Sequence, residues 1–297
     1  MSEPRPPRVI SIDDFAGIHR PHSSFLDFLI NLPSLGEAQK IFDVRDGWLA
    51  RRQQQQSFVL LVGSEAVSLG LSPLVIDLVQ RGFIQAVAFS GNAMMSDLHV
   101  AMTGSATPPL DRYHQEGGLP LAPEVLPVLQ AATDLVRDQR SGLGAAIASV
   151  LAELAPRHEG DSILMAARRF SLPITVHISL GDDPVHLLED LRVEDLALGS
   201  LLDLSELPAW LDRQRKISWI NLGSARLLPE VLNNTSSLLE ASGKAIEWDM
   251  GISLLPGTQG RGQRLGWLLD AAGESFDFVG ALELTWPLLC AALLEEA

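Results

Sequence analysis

The segment between residues 58 and 93 constrains the fold of this chain more than any other feature. Residues 58–63 read FVLLVG, a short and wholly apolar run that ends at a glycine. Residues 72–82 then place apolar side chains at helical spacing, and Gly82 stands at the position of a helix C-cap. A second apolar run from residue 84 passes into the small residues Ser90-Gly91-Asn92-Ala93. This pattern predicts two parallel strands joined by a helix.

The rest of the chain repeats the alternation of strand and helix. Further strand patterns lie at 173–179, 217–225, 245–249 and 275–281, and helical patterns at 124–138, 141–155, 161–170, 229–242 and 285–296. Such alternation predicts an α/β fold with a doubly wound, mostly parallel sheet. Residues 1–56 are Pro-rich at their start and polar at their end, so we expect an arm that packs on the core or on a neighbouring subunit. Residues 57–297 form the main domain in this interpretation.

Charge and composition exclude several classes of protein. The 37 acidic residues outnumber the 22 basic residues, and the net charge of −15 would repel a nucleic-acid backbone. The single cysteine, Cys290, excludes a disulfide framework and cysteine-rich metal centres, and no H-E-x-x-H motif is present, so we expect no metal site. The chain starts without a signal-peptide pattern, and no apolar run reaches the ~20 residues that a membrane span needs. We therefore expect a cytoplasmic protein with a small-molecule ligand.

The loops after the predicted strands are the places to search for a ligand site, because parallel sheets bind ligands beyond the carboxyl ends of their strands. Five such loops are Gly63-Ser64-Glu65, Ser90-Gly91-Asn92-Ala93, Leu180-Gly181-Asp182-Asp183, Leu222-Gly223-Ser224-Ala225 and Asp249-Met250-Gly251. Four of the five carry Gly beside Ser or Asp, which allows close approach to a phosphate or a ribose. We predict a nucleotide over Gly63, Gly91, Gly181 and Gly223. No G-x-G-x-x-G motif follows the first strand, so only the pattern across several loops supports this prediction.

Candidate acid–base groups are few, and each has a structural alternative. Asp182 and Asp183 could bind ribose hydroxyls, a metal or a cationic substrate, or Asp183 could cap the helix that follows it. His177 lies inside a strand pattern, so it is either a buried core histidine or, near the strand end, part of the site. Asp97 forms an acid–base pair with His99 or simply lies in the first turn of a helix. The glycines of GTQGRG (257–262) precede no clear helix and predict a flexible turn.

The strand-end loops, in this order, resemble those of deoxyhypusine synthase and its bacterial relatives over roughly residues 57–294. The nearer resemblance is to the bacterial deoxyhypusine synthase-like proteins, through the segments GLSPLVIDLVQRGFIQAVAFSGNAMMSDLH (70–99), LPITVHISLGDDPVH (172–186), INLGSARLLPEVL (220–232) and FDFVGALELTWPLL (276–289). The S-G-N-A stretch is also similar to the dinucleotide-binding part of archaeal ornithine-metabolising enzymes. The resemblance implies a Rossmann-type fold that binds NAD, and a homotetramer with sites at subunit interfaces.

Carried over by position, the resemblance implies a set of NAD contacts. They fall on Gly63, Ser64, Ser90, Gly91, Asn92, Gly181, Asp182, Asp183, Gly223, Ser224, Asp249, Gly280 and Ala281.

The catalytic part of the family does not carry over. Deoxyhypusine synthase forms an imine with a lysine in a Trp-Gly-Lys segment, and the matching segment here is Leu265-Gly266-Trp267. The only lysines of the chain are Lys40, Lys216 and Lys244, and arginine cannot replace the amine.

Two functions follow as hypotheses. The first is an NAD-dependent enzyme, an oxidoreductase or transferase acting on a small amine or amino acid, with Asp97, His177 or Asp182 as acid–base groups. The second is a non-catalytic nucleotide-binding sensor or scaffold protein. No G-x-S-x-G motif supports a hydrolase.

Overall fold

A six-stranded sheet lies at the centre of the computed structural model, which describes residues 10–107, 123–214, 216–257 and 263–295. The strands are β1 (Ser57–Val62), β2 (Ala86–Ser90), β3 (Ile174–His177), β4 (Ile217–Leu222), β5 (Trp248–Pro256) and β6 (Glu274–Gly280). Every pairing is parallel, and the strand order is β3-β2-β1-β4-β5-β6. The predicted α/β fold with a doubly wound parallel sheet is confirmed.

Helices cover both faces of the sheet. They are α1 (Phe25–Ile30), α2 (Gly36–Gln53), α3 (Ser64–Ser68), α4 (Ser72–Gln80), α5 (Gly91–Thr103), α6 (Val125–Gln139), α7 (Leu143–Leu154), α8 (Ile163–Arg169), α9 (Val193–Leu211), α10 (Leu227–Ala241), α11 (Gln263–Ala271) and α12 (Leu282–Glu295). Serine side chains start several of them, because a hydroxyl oxygen accepts an N–H that the first turn leaves free. Ser24, Ser90 and Ser162 do so for α1, α5 and α8.

Alternate residues of each strand pack on opposite faces, and this divides the apolar core in two. Phe58, Leu60 and Val62 of β1 face the larger core, which α1 to α8 and α12 cover. Val59 and Leu61 face the smaller core, which the end of α9 forms with α10 and α11. Both faces of the sheet are therefore buried, as a parallel sheet requires.

Helix α2, within the predicted arm, packs on the larger core. Its Trp48 is fully buried and stacks on Phe58 of β1, with ring centroids 5.1 Å apart. The same indole meets the ring of Phe83 edge-on. Residues 1–9 of the arm lie outside the described part of the chain.

The sequence-based prediction for β5 is wrong in one respect that affects the site. Asp249-Met250-Gly251 were expected to follow a strand, but they lie among the first residues of β5. Pairing of Ile217 with Trp248 places them at the amino edge of the sheet. Residue 251 must be glycine, because a Cβ there would lie 2.4 Å from the Trp219 ring. This glycine therefore allows close packing and does not mark a turn.

Helix α11 corrects a second expectation. The glycines of GTQGRG were predicted to precede no helix, whereas α11 begins directly after this segment, at Gln263. Residues 258–262 themselves lie outside the described residues.

Candidate functional site

The carboxyl edge of the sheet brings together the loops that follow β1, β2, β3 and β4. The registers align Val62 with Phe89 and with Leu222, and Ser90 with His177, so these strands end side by side. Gly280 ends β6 and Ala281 follows it at the same edge. The strand order reverses between β1 and β4, and such a switch point forms the ligand crevice in open α/β sheets.

Two glycine loops contact each other at this switch point. A Cβ on Gly63 would lie 2.1 Å from the carbonyl oxygen of Gly223, so the two backbones meet directly. The Gly63 N–H donates to the Leu222 carbonyl at 2.8 Å, and Gly223 has a φ of +82°, which favours glycine. Residue 63 is therefore glycine because the two loops pack backbone against backbone, with no space for a side chain.

Two predicted serines flank these glycines. Ser64 is the first residue of α3, and its hydroxyl donates to the Glu65 carboxylate at 3.0 Å. Ser224 is buried, and its hydroxyl oxygen accepts the N–H of Leu228 near the start of α10. The serine after β4 thus stabilises the fold, whereas Ser64 lies half-buried beside the crevice.

The carboxylate of Asp183 occupies the start of α5. It accepts the backbone N–H groups of Ser179 and Asn92, and a Cβ on Gly91 would lie 2.6 Å from its Oδ2 atom. Burial raises the pKa of Asp183 to about 6, although these two N–H groups oppose the shift. Asp183 makes no side-chain cap to the turn at Pro184–Leu187, so the helix-cap alternative is wrong.

An ion pair crosses the edge above the strand ends. The Arg226 guanidinium donates to the Asp182 carboxylate at 2.6 Å, and both side chains are exposed. The pair joins the loop after β3 to the loop after β4, although two strands separate them in the sheet. Arg226 did not emerge as a site residue from the sequence. One sequence feature could have identified it. Arg226 lies two residues after Ser224, and few cations lie near the predicted strand ends of this chain.

His177 is close to the edge but buried. It is the last residue of β3 and only 3% exposed, and its Nε2 atom lies 3.0 Å from the Thr175 hydroxyl oxygen. Burial lowers the pKa of His177 to about 4, so the imidazole is neutral at neutral pH.

Asp97 has a structural role. Its fully buried carboxylate accepts the Ser162 hydroxyl and the backbone N–H groups of Ile163 and Leu164, and so caps α8. Burial raises its pKa to about 6, and these three donors oppose the shift. The predicted acid–base pair of Asp97 with His99 is wrong, since His99 contacts the Ser105 carbonyl instead.

Asp249 and two of the lysines lie away from the carboxyl edge. Arg51 donates to Asp249 at 2.9 Å, and Lys216 lies 3.8 Å from it at the amino edge. Asp249, predicted as a cofactor contact, therefore lies at the opposite edge of the sheet from the other predicted contacts. Lys244, in the connection before β5, pairs with Asp212. Lys40 on α2 donates to Glu37 and to a carbonyl of β6.

Within the described ranges, no three acidic, histidine or cysteine side chains form a group that could hold a metal ion. Across the same residues, no helix combines the length and the apolar character that crossing a membrane requires.

No protein-family model matches the sequence, and no curated protein is similar to it. Solved structures do match its fold. A conserved LOR/SDH-type protein from Methanococcus maripaludis S2 superposes with a TM-score of 0.58 at 13% identity, covering 88% of this chain and 69% of that one. A protein assigned as a deoxyhypusine synthase from Entamoeba histolytica gives a TM-score of 0.54 at 12% identity, covering 93% of this chain and 94% of that one.

The structure of AgrE in a ternary complex with ornithine and NAD⁺ also matches. Its TM-score is 0.57 at 16% identity, over 87% of this chain and 33% of AgrE, so the chain spans about a third of that protein. The chain therefore shares its fold with these solved proteins, as its sequence resemblance predicts.

Proposed function

We propose that the protein binds NAD at the carboxyl edge of the sheet, across the switch point between β1 and β4. The observation that carries this proposal is the reversal of the strand order between β1 and β4, at whose carboxyl edge the Gly63 and Gly223 loops lie. The shared fold supports it, because AgrE has been solved with NAD⁺ bound.

The residues that would hold the dinucleotide lie in order along the edge. Gly63, Ser64 and Gly223 would border the diphosphate, and exposed Arg226 offers it a cation. Further contacts would come from the remaining predicted residues at this edge, which are Ser90, Gly91, Gly181, Asp182, Gly280 and Ala281, whereas buried Ser224 is used by α10. Asn92 has already donated its N–H to Asp183. NAD supplies a hydride acceptor, while the chain supplies position and charge.

The proposed activity is NAD-dependent chemistry on a small amine or amino acid. Asp182 is the exposed carboxylate at the edge, and its negative charge would favour a cationic substrate if Arg226 releases it. His177 is neutral and buried, and it borders a cavity that residues of α9 and α10 also line. Asp97 is already used as a helix cap.

A non-catalytic nucleotide sensor is the second candidate, and one observation favours it. Each of the three predicted acid–base groups is either buried or held in an ion pair. Incubation with NAD⁺ and a panel of amines and amino acids distinguishes the two functions. Growth of the reduced-nicotinamide absorbance indicates an enzyme, and binding of NAD⁺ without it indicates a sensor.

Homo-oligomer formation is proposed as well. Large apolar side chains near the start of the described chain are exposed, among them Ile12 at 80% and Ile18 at 88%. A second copy of the chain packed against residues 10–18 would cover several of these side chains at once, which is the arrangement the proposal expects. Light scattering coupled to size exclusion measures the mass in solution, and a monomer would contradict this part of the proposal.

The variant Ser64→Trp tests the NAD site. Ser64 is half-buried beside the crevice, so an indole there would block the dinucleotide. We expect calorimetric affinity for NAD⁺ to fall at least about tenfold, as for the loss of about 1.4 kcal/mol. Ser237→Trp is the control, because Ser237 is exposed on α10 ten residues from its start. Equal affinity of the two variants would place the site elsewhere.

A further inference from the structure

A cavity lies between helices α9 and α10, beyond the carboxyl end of β3. Each helix lines it with residues spaced i, i+3, i+4 and i+7, and so presents a single face, from Ala197 to Leu204 on α9 and from Leu227 to Asn234 on α10. The volume of the cavity is about 280 Å³. Pockets for drug-sized ligands start at roughly 300 Å³, so this cavity suits a smaller molecule.

The cavity is separate from the residues proposed to hold NAD. Those residues lie at the ends of strands and in the loops that follow them, and none of them lines the cavity. Leu265-Gly266-Trp267, which matches the imine-forming segment of deoxyhypusine synthase, does not line it either. Among the described residues, the cavity therefore shares no wall with the proposed dinucleotide site or with that segment.

The lining carries one negative charge and no positive charge. Glu230, in the first turn of α10, is half-buried and is the acidic residue of the wall. His177 is 3% exposed, and burial lowers its pKa to about 4, so its imidazole is uncharged at neutral pH. Ser200, whose hydroxyl oxygen accepts the Ile178 N–H at 2.9 Å, and Asn234 are the other polar side chains of the wall.

The helices around the cavity add to its negative character. The sequences of α9 and α10 contain several Asp and Glu residues and neither a lysine nor an arginine. The arginines that directly precede the two helices are held by carboxylates, since Arg192 pairs with Glu194 and Asp195, and Arg226 with Asp182. Such a surface attracts a cation and repels an anion.

The remainder of the lining is apolar. Leu180 and Leu201 lie at its surface, where they are 61% and 59% exposed, and Leu204, Leu227 and Val231 are more deeply placed. A hydrocarbon group in the cavity would cover these side chains and remove their apolar surface from water. The ligand that fits this lining therefore combines an apolar body with a positive charge.

We propose that the cavity between α9 and α10 binds a small protonated amine with an apolar body, at a site separate from the dinucleotide site. The ammonium group lies against Glu230, and the hydrocarbon part lies against the leucines of both helices. A single carboxylate in a small cavity suits a compact ammonium group better than the wide, planar guanidinium group. This inference does not depend on NAD binding.

NMR titration of the ¹⁵N-labelled protein at neutral pH tests the inference with three ligands of equal chain length, pentylamine, pentanol and pentanoate. We expect the amine to bind most tightly and the carboxylate most weakly. The amide signals of Ile178, Ser200 and Leu201, which border the cavity, should shift as pentylamine is added.

Two variants probe the charge and the volume of the cavity. Glu230→Gln should lower the affinity for pentylamine about tenfold, because a hydrogen bond to a charged group is lost, and should leave the affinity for pentanol nearly unchanged. Glu240→Gln is the matched control, since Glu240 is exposed on the same helix and its change removes the same charge. Ala197→Leu fills the cavity and should weaken binding of all three ligands, which keeps the test valid if Glu230→Gln does not fold.

Several outcomes would overturn the inference. Equal affinity for pentylamine and pentanoate, or an equal loss in Glu240→Gln, would show that the Glu230 charge does not select the ligand. Shifts confined to the loops of Gly63 and Gly223, or displacement of pentylamine by NAD⁺, would place the amine in the proposed dinucleotide site. If NAD⁺ itself does not bind, the proposed function fails, and the pentylamine titration still decides this inference.

Discussion

At the scale of single residues, Asp203 is the most strongly perturbed carboxylate of the described chain. Its side chain accepts the N–H groups of Gly144 at 2.9 Å and Val176 at 2.7 Å, and it is fully buried on α9. Burial raises its pKa to about 8, and nearby Glu206 adds to the shift, while the backbone donors oppose it. Asp203 thus keeps its proton in the folded state, whereas in the unfolded chain the same carboxyl loses it near the ordinary aspartate pKa of 3.8.

Asp203→Asn should change how stability depends on pH. Between about pH 4 and pH 8 wild type binds a proton at Asp203 that the unfolded chain lacks, so its stability falls as the pH rises. The variant cannot bind this proton. As the pH rises through this range, the unfolding free energy of the variant minus that of wild type should therefore increase by up to ~1.4 kcal/mol per pH unit. Urea unfolding at four pH values measures this difference.

The control for this prediction is Asp46→Asn, at an exposed aspartate on α2 that pairs with Arg45. Its difference from wild type should stay nearly constant with pH. A constant difference for Asp203→Asn as well would show that Asp203 is ionised in the folded protein throughout this range.

At the scale of elements, helix α9 protects the edge strand β3. The N–H groups on the outer side of an edge strand have no neighbouring strand. Ser200 and Asp203, one turn apart on α9, accept the N–H groups of Ile178 and Val176. The side chains of α9 therefore accept N–H groups that a further strand would otherwise bind. This contact prevents β3 from pairing with a strand of another chain.

Ser200→Ala should destabilise the protein by about 1 kcal/mol, because the Ile178 N–H loses its acceptor at 2.9 Å. Ser205→Ala, on the same helix, removes an exposed hydroxyl that bonds only within α9 and should change stability by less than about 0.5 kcal/mol. Thermal and urea unfolding compare the two. Equal effects would mean that α9 does not satisfy the edge strand through Ser200.

The same elements show which parts of the fold the sequence could predict. Strands β1 to β4 are apolar runs buried on both faces, and this pattern alone is sufficient to predict them as strands. Helix α9 was missed because Gly199 and Pro208 interrupt its pattern, and because the polar Asp203 faces inward. Helix α2 was missed because its polar Arg51 points at Asp249 and Glu274 and not into solvent.

At the scale of the whole molecule, the site was predictable only where adjacent residues carry the signal. Gly63 and Gly223 each follow an apolar strand, and local pattern located both at the carboxyl edge. The contacts that these loops make with distant parts of the chain could not be predicted from the sequence. Neither the contact of Asp183 with α5 nor the Asp182–Arg226 pair follows from spacing, because tertiary structure alone brings those loops together.

The positions of the lysines give a further prediction for the whole molecule. Lys216 and Lys244 precede β4 and β5, so they lie at the amino edge, opposite the proposed NAD site. An imine needs an amine beside the reacting carbon. Incubation with spermidine, NAD⁺ and borohydride should therefore give no covalent mass adduct on Lys216 or Lys244. A butylamine adduct on Lys216 or Lys244 would show that these lysines reach the substrate and that imine chemistry is retained.

Hydrogen–deuterium exchange with and without NAD⁺ tests the central claim most directly. We expect NAD⁺ to slow exchange in peptides that contain Gly63, Gly91, Gly181 and Gly223, which all lie at the carboxyl edge. Peptides at the amino edge around Asp249 should exchange as before. Protection confined to the amino edge, or no protection at saturating NAD⁺, would contradict a dinucleotide site at the switch point between β1 and β4.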